Sequence, residues 1–207
     1  MSDRNSLWRQ RLTSYLQVEA RPPHKYGHQP RLYALTQTIA ANSPNLTYDD
    51  DVVFGAAFLH DLGVFLGHRP DQPETLAHWD HVAYACEKSP TLLTNFGFST
   101  AKIPAVLACI REHQPHNEPH TPEATLLRDA DILEQLGAVA ILRTASKLGS
   151  DTRFTLFHDA QRSLQSALDT LPNQLRLPAS RKLAIPRVQA LRAFLVSLAQ
   201  EAGEHLG

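Results

Sequence analysis

Apolar residues recur at intervals of three and four along most of the chain, with polar residues between them. This spacing places apolar side chains on one face of a helix, whereas no segment shows the strict alternation typical of a half-buried strand. We therefore predict an all-α protein of about seven to nine helices. Helix ends are marked by breakers such as Pro22-Pro23 and Asn42-Ser43-Pro44.

One predicted helix departs from the amphipathic pattern. Residues 52–59 are apolar on every side, which is typical of a buried helix. Thr47 is the predicted N-cap, and the aspartates at positions 49–51 carry the charge sign that favours a helix N-terminus. The apolar run stops at His60-Asp61, so the pattern places a histidine and an aspartate at a buried helix end.

Further helices are predicted downstream. One begins at Glu74 and carries His81, another near Ser99 carries His113, and Thr121-Pro122-Glu123 opens a longer helix with Gly137 as a point of division. Two amphipathic helices over 154–171 and 180–202 follow, with a kink or break expected at Pro186. We predict a single domain over residues 1–207, in which residues 24–145 bear the chemistry and residues 152–206 supply packing.

Composition narrows the classes of partner. The 207 residues include 20 Lys+Arg and 21 Asp+Glu, so the formal net charge of −1 provides no field that attracts nucleic-acid polymers or acidic membranes. The two cysteines lack the spacing of a disulfide framework, and the N-terminus lacks the apolar core of a signal peptide. We predict a soluble, cytoplasmic protein. Its eleven histidines are a high content, and their positions suggest chemistry.

The His60-Asp61 pair has two interpretations. An unpaired buried carboxylate costs several kcal/mol, so a hydrogen-bonded partner or a cation must compensate it. The pair is either a hydrogen-bonded couple in the core or part of a divalent-metal site, because imidazole nitrogen and carboxylate oxygen together suit mid-row metals.

The wider order of residues changes the balance between these interpretations. His28 lies three residues before Arg31 at a predicted helix start, and the segment Asp129-Ala130-Asp131 lies in a later helix that continues as ILEQLGAVAILR. Together with His60-Asp61, these motifs resemble the HD-domain superfamily of metal-dependent phosphohydrolases over roughly residues 24–145. The segment LLRDADILEQLGAVAILR is similar to a bacterial HD subgroup with nucleotide pyrophosphohydrolase activity.

The resemblance implies one divalent metal, which the sequence does not narrow among Mn, Fe, Co, Zn, Ni and Mg. The implied metal ligands match the ordered family motif, and they are His28, His60, Asp61 and Asp131. Helical periodicity instead favours Asp129 over Asp131 as the inward-facing ligand, and this alternative stays open. If Asp131 is the ligand, Asp129 becomes an orienting residue or a general base.

The resemblance also implies residues for phosphate contact. Arg31 and Arg143 match family positions, and a guanidinium suits bidentate phosphate binding. Many HD proteins carry further histidines at the positions of His81 and His113, where these complete a second metal site or contact the phosphate. We assign His81 to substrate binding and His113 to the catalytic pocket.

The expected activity is hydrolysis of a small phosphorylated metabolite, with a nucleotide as the expected substrate and phosphate or pyrophosphate as the product. Motifs of P-loop, dinucleotide-binding, serine-hydrolase and zincin proteins are absent from the sequence. One alternative is a di-iron HD-fold oxygenase resembling myo-inositol oxygenase, with the ligands His28, His60, Asp61, His81, His113 and Asp131. Another is a non-catalytic module that binds a nucleotide. The sequence leaves the oligomeric state open.

Overall fold

A computed structural model describes residues 2–149, 151, 153–203 and 205–206. Across these residues the chain forms ten α-helices and no named strand, which confirms the all-α prediction. The α-helices are α1 (Ser2–Glu19), α2 (His28–Ala41), α3 (Asp50–Leu59), α4 (Pro73–Ala77), α5 (His81–Phe96), α6 (Ile103–Glu112), α7 (Pro122–Glu134), α8 (Ala138–Ala145), α9 (Phe157–Thr170) and α10 (Pro178–Ala202). Short 3₁₀ turns cover Pro23–Lys25, Leu62–Val64, Thr100–Lys102 and Leu171–Gln174.

The chain divides into two compact units, one that ends at Arg128 and one that begins at Asp129. The single domain expected over residues 1–207 stays a prediction. None of the described helices is both long enough and apolar enough to cross a membrane.

Helix α3 is the centre of the first unit. Every residue from Val52 to Leu59 is buried, as the apolar pattern predicted, and the helix packs against α2 and α6. Its N-cap is Asp49, whose carboxylate accepts hydrogen bonds from the backbone N–H groups of Asp51 and Val52. The prediction of Thr47 as the cap is wrong, because the helix begins at Asp50 and the capping side chain must directly precede it.

The predicted helix from Glu74 is two helices. The chain leaves the helical conformation after α4 and starts again at α5, whose N-cap Asp80 accepts a hydrogen bond from the Ala83 N–H. This break makes His81 the first residue of α5. The prediction of one continuous helix is therefore wrong. Because of the break, His81 lies at the N-terminus of a helix instead of within one.

The second unit contains the helices that follow α7. Gly137 divides α7 from α8 as predicted, with φ of 84°, and a Cβ there would lie 3.1 Å from the Cβ of Arg187. Helix α9 starts three residues later than the predicted Phe154. Helix α10 continues through Pro186 without the break that the sequence suggested.

Candidate metal centre

Two helix termini in the first unit bring three of the expected ligands together. His28 is the first residue of α2, His60 is the C-cap of α3, and Asp61 precedes the 3₁₀ turn Leu62–Val64. The Nε2 atoms of His28 and His60 lie 3.2 Å apart, and each lies 3.6 Å from Asp61 Oδ2. Both imidazoles are buried, whereas about a fifth of the Asp61 side chain (21%) is exposed.

Backbone contacts fix the orientation of two histidine rings. His60 Nδ1 lies 3.0 Å from the Ala57 carbonyl oxygen, and His113 Nδ1 lies 2.7 Å from the Ile110 carbonyl oxygen. A carbonyl oxygen only accepts, so each Nδ1 carries the proton and each neutral ring presents a lone pair at Nε2. This orientation by a backbone carbonyl is typical of histidines that bind metals.

Two further histidines surround Asp61. His113 is the buried C-cap of α6, and its ring centroid lies 4.9 Å from that of His60. Ligand atoms of His60, Asp61 and His113 all lie within 4.8 Å of one another. The ring centroid of His81 lies 6.2 Å from that of His113. The structure therefore gathers His28, His60, Asp61, His81 and His113 in one region of the first unit.

The electrostatics of Asp61 follow from this arrangement. Burial alone opposes ionisation of the carboxyl, but the attraction of the neighbouring His60, His28, His113 and His81 rings in their protonated form outweighs it. The pKa of Asp61 consequently lies well below its usual value. Asp61 is thus an anion at neutral pH, in a position that attracts a cation.

The donor set fits a divalent metal ion. Ligand atoms held about 2.1 Å from one ion, at angles between about 90° and 109°, lie about 3.0–3.4 Å apart. The observed separations of 3.2, 3.6 and 3.6 Å are close to this range. In its neutral form His60 turns a lone pair toward the carboxylate, and a shared cation removes the repulsion between them. Two imidazole nitrogens and one carboxylate oxygen are ligands that mid-row divalent metals prefer.

The two aspartates of α7 lie in the second unit and have different environments. Asp131 is 9% exposed, and its Oδ2 accepts a hydrogen bond of 3.1 Å from Gln135 one turn later. Its role as the fourth ligand stays a prediction from the sequence motif. Asp129 is fully buried, and its two carboxylate oxygens accept hydrogen bonds of 2.8–3.1 Å from the N–H groups of Arg176 and Leu177.

These contacts explain why periodicity singled out Asp129. The side chain faces inward because it binds the backbone N–H groups of Arg176 and Leu177, just before α10. Its proposed role as a general base is untested and stays a prediction, but its oxygens already have structural partners.

The two arginines expected to contact phosphate lie in different units. Arg31 is exposed, and its guanidinium folds back over Gly27, where a Cβ would lie 2.8 Å from Arg31 Nη1. It therefore lies next to the backbone that precedes His28. In the second unit, Arg143 Nη1 lies 3.4 Å from Oε2 of the buried Glu134.

Sequence reasoning overlooked several residues that contact expected site residues or the backbone near them. Gln135 was detectable, because a residue four positions after Asp131 lies on the same helix face. Glu134 and Trp79 gave no local signal, since their partners Arg143 and Gly63 are distant in sequence.

Comparisons with known proteins show the family and the fold of the chain. A model of the HD domain matches residues 26–136, more than half of the chain. The structure is similar to Bacillus subtilis YpgQ (18% identity, TM-score 0.73, covering 96% of this chain and 97% of that one). YpgQ in complex with ADP gives 20% identity and a TM-score of 0.70 (94% and 98% covered). An HD-superfamily hydrolase from Bacillus thuringiensis gives 16% identity and a TM-score of 0.69 (95% and 97% covered). No curated protein matches the chain.

Proposed function

Because the chain belongs to the HD-domain family, we propose that it is a divalent-metal-dependent phosphohydrolase acting on a small phosphorylated metabolite, with nucleotides as the substrate class. The observation that carries this proposal is the cluster of His28, His60 and Asp61. The spacing of its donor atoms is close to that of metal ligands, and the backbone contact of His60 directs a lone pair at the carboxylate.

The proposed ligand set is His28, His60, Asp61 and Asp131, of which Asp131 rests on the order of the sequence motif alone. Two carboxylates and two neutral imidazoles balance the charge of a divalent ion. Such an ion, when bound, lowers the pKa of a water molecule and polarises a phosphoryl oxygen. Four protein ligands leave positions for both in a six-coordinate site.

The remaining residues act on the phosphate. His113 holds its ring against the Ile110 carbonyl and offers Nε2 beside Asp61, so that it accepts a proton or, once protonated, donates to a phosphoryl oxygen. His81 and Arg31 supply further hydrogen-bond donors to the phosphate. Arg143 is included as a third donor because it matches a family position. Cationic donors stabilise the charge that develops on the equatorial oxygens during phosphoryl transfer. Asp129 is better assigned to holding the chain before α10 than to acting as a general base.

The proposal of a nucleotide substrate rests on the sequence segment LLRDADILEQLGAVAILR and on one related protein. Bacillus subtilis YpgQ, which shares the fold, was crystallised in complex with ADP. Nucleotides therefore come first in a search for substrates of this chain.

A second candidate function is favoured by the histidines around Asp61. His113, the C-cap of α6, adds a fourth donor beside His60 and Asp61. His81, the first residue of α5, has its ring centroid 6.2 Å from that of His113. A di-iron oxygenase uses such an extended set, so metal stoichiometry and oxygen consumption separate it from a phosphohydrolase with one metal.

The test is elemental analysis of the purified protein, followed by a panel of phosphorylated metabolites that includes deoxynucleoside triphosphates. We expect one divalent metal per chain and turnover of at least one nucleotide, with phosphate and pyrophosphate assayed separately. Arg31→Gln should raise KM about tenfold through loss of a charged phosphate contact. Arg162→Gln is the matched control, because Arg162 is 66% exposed and pairs with Asp159, three residues earlier in the second unit.

Three results would contradict this proposal in different ways. Two irons per chain together with oxygen consumption would favour the oxygenase. Nucleotide-induced thermal stabilisation without product would favour a binding module. Absence of bound metal would remove the basis of both enzymatic candidates.

A further inference from the structure

One hydrogen bond connects the segment after Asp61 to the segment before His81. The indole Nε1–H of Trp79 donates to the Gly63 carbonyl oxygen at 2.7 Å. Gly63 lies two residues after Asp61, and Trp79 lies two residues before His81. The bond therefore joins the two stretches of backbone from which these site residues project.

The same two stretches are in close contact at Gly63. A Cβ at this position would lie 2.7 Å from the His81 carbonyl oxygen and 2.8 Å from the His81 Cα. Only glycine fits such an approach without a shift of the backbone. The turn after Asp61 thus packs directly on the first residue of α5, and the Trp79 bond keeps it there.

Other contacts define the turn but not its distance from His81. The Asp61 carbonyl oxygen accepts a hydrogen bond of 3.0 Å from the Val64 N–H. The Val64 carbonyl oxygen accepts a hydrogen bond of 2.9 Å from Lys25 Nζ, which precedes α2. Lys25 therefore holds the turn from the side of His28, and Trp79 holds it from the side of His81.

We propose that Trp79 is a positioning residue of the metal centre, which fixes Asp61 relative to His81 through its hydrogen bond to the Gly63 carbonyl. This inference rests on the proposed function, because it assigns Asp61 to metal binding. The Trp79 ring is half-buried, and it also contacts the Tyr84 ring, with the two ring centroids 5.2 Å apart. Loss of the N–H alone should therefore loosen the turn after Asp61 while leaving the core of the unit intact.

The test compares Mn²⁺ binding by calorimetry in the wild type and in two variants of the full chain. Trp79→Phe removes the N–H and part of the ring. Replacement of Trp79 by 3-benzothienylalanine changes the N–H to sulfur and keeps the ring shape. Both variants should weaken Mn²⁺ binding about three- to tenfold, the range for one hydrogen bond. The melting temperature of the second variant should stay within about 2 °C of the wild type.

Trp8→Phe is the matched control, because the chain has two tryptophans and Trp8 lies in the core against Phe54 and Phe98. It should lower the melting temperature by about 3–6 °C and leave the Kd for Mn²⁺ unchanged. Wild-type affinity in the 3-benzothienylalanine variant would overturn the inference, since that variant lacks only the hydrogen bond.

The outcomes separate this inference from the proposed function. If the wild type binds Mn²⁺ but hydrolyses no phosphorylated compound, the proposed function fails, and the comparison of Kd values still decides the role of Trp79. If the wild type hydrolyses nucleotides and the Trp79 variants keep its Kd, only the positioning role fails. A wild type that binds neither Mn²⁺ nor any other divalent metal would overturn both.

Discussion

The Nε2 atoms of His28 and His60 lie 3.2 Å apart, although 32 residues separate the two histidines in sequence. The first residue of α2 and the C-cap of α3 meet at this point. Two imidazoles held so close in a buried site repel each other when both are protonated. A single divalent ion between them and Asp61 would satisfy both nitrogens, as the proposed metal centre requires.

The first prediction concerns stability. A metal that binds only the native state, at about 100-fold above its Kd, adds about 2.7 kcal/mol to the free energy of unfolding. This increment corresponds to a rise of about 5–10 °C in melting temperature for a chain of this size. Thermal unfolding with Mn²⁺ or Co²⁺ should show this rise in the wild type and lose it in His28→Ala. His158→Ala, at an exposed position of α9, should keep it.

The second prediction separates two roles of Asp129. Because its carboxylate accepts backbone hydrogen bonds from Arg176 and Leu177, Asp129→Asn replaces one acceptor oxygen with a donor group. We expect a loss of about 2–4 kcal/mol in the free energy of unfolding, measured by urea denaturation. A large loss of kcat in a variant of wild-type stability would instead indicate a general base.

The third prediction concerns the close contact at Gly63. A methyl group there collides with His81 backbone atoms, so Gly63→Ala should cost about 1–3 kcal/mol and weaken metal binding. Gly67→Ala is the control, because that glycine has φ of 91° but nothing within 4 Å of the added carbon. Its cost should be about 1–2 kcal/mol of backbone strain, with metal affinity unchanged. Equal metal affinities in the two variants would contradict the importance of the contact.

The fourth prediction concerns the two thiols. Burial, reinforced by the negative charge of Glu123, raises the pKa of Cys109 to about 12, and burial also raises the pKa of Cys86. Since the thiolate is the reactive form, Cys109 should not react with a thiol reagent in the native protein at about pH 8. The half-buried Cys86 should react slowly, and both should react after unfolding. In the native Cys86→Ser variant, Cys109 is the remaining thiol. Its rapid labelling would contradict the inert state expected for Cys109.

The sequence predicted the position of the His60-Asp61 pair for a physical reason. Residues 52–59 are apolar on every side, which requires burial, and the polar pair at the end of that run must then lie at the edge of the core. The structure shows this arrangement for His60 and Asp61. The all-α fold was predictable for a different reason, because most of the other helices carry their own periodic signal.

Other features depend on contacts between distant segments and left no local signal. The break before His81 contains Trp79, whose indole N–H donates to Gly63, 16 residues away. The inward orientation of Asp129 was visible as periodicity, but its partners lie 47 and 48 residues further along the chain. The tautomers of His60 and His113 depend on backbone carbonyl oxygens whose position only the folded helix ends define.

The most direct test of the metal centre is the metal content of the Asp61→Ala variant beside that of the wild type, after identical purification and dialysis. Asp71→Ala, in an exposed loop, serves as the control for the loss of a carboxylate. We predict one divalent metal per chain in the wild type and in Asp71→Ala, and loss of most of the metal, together with turnover, in Asp61→Ala. A full equivalent of metal in Asp61→Ala would contradict the proposed centre.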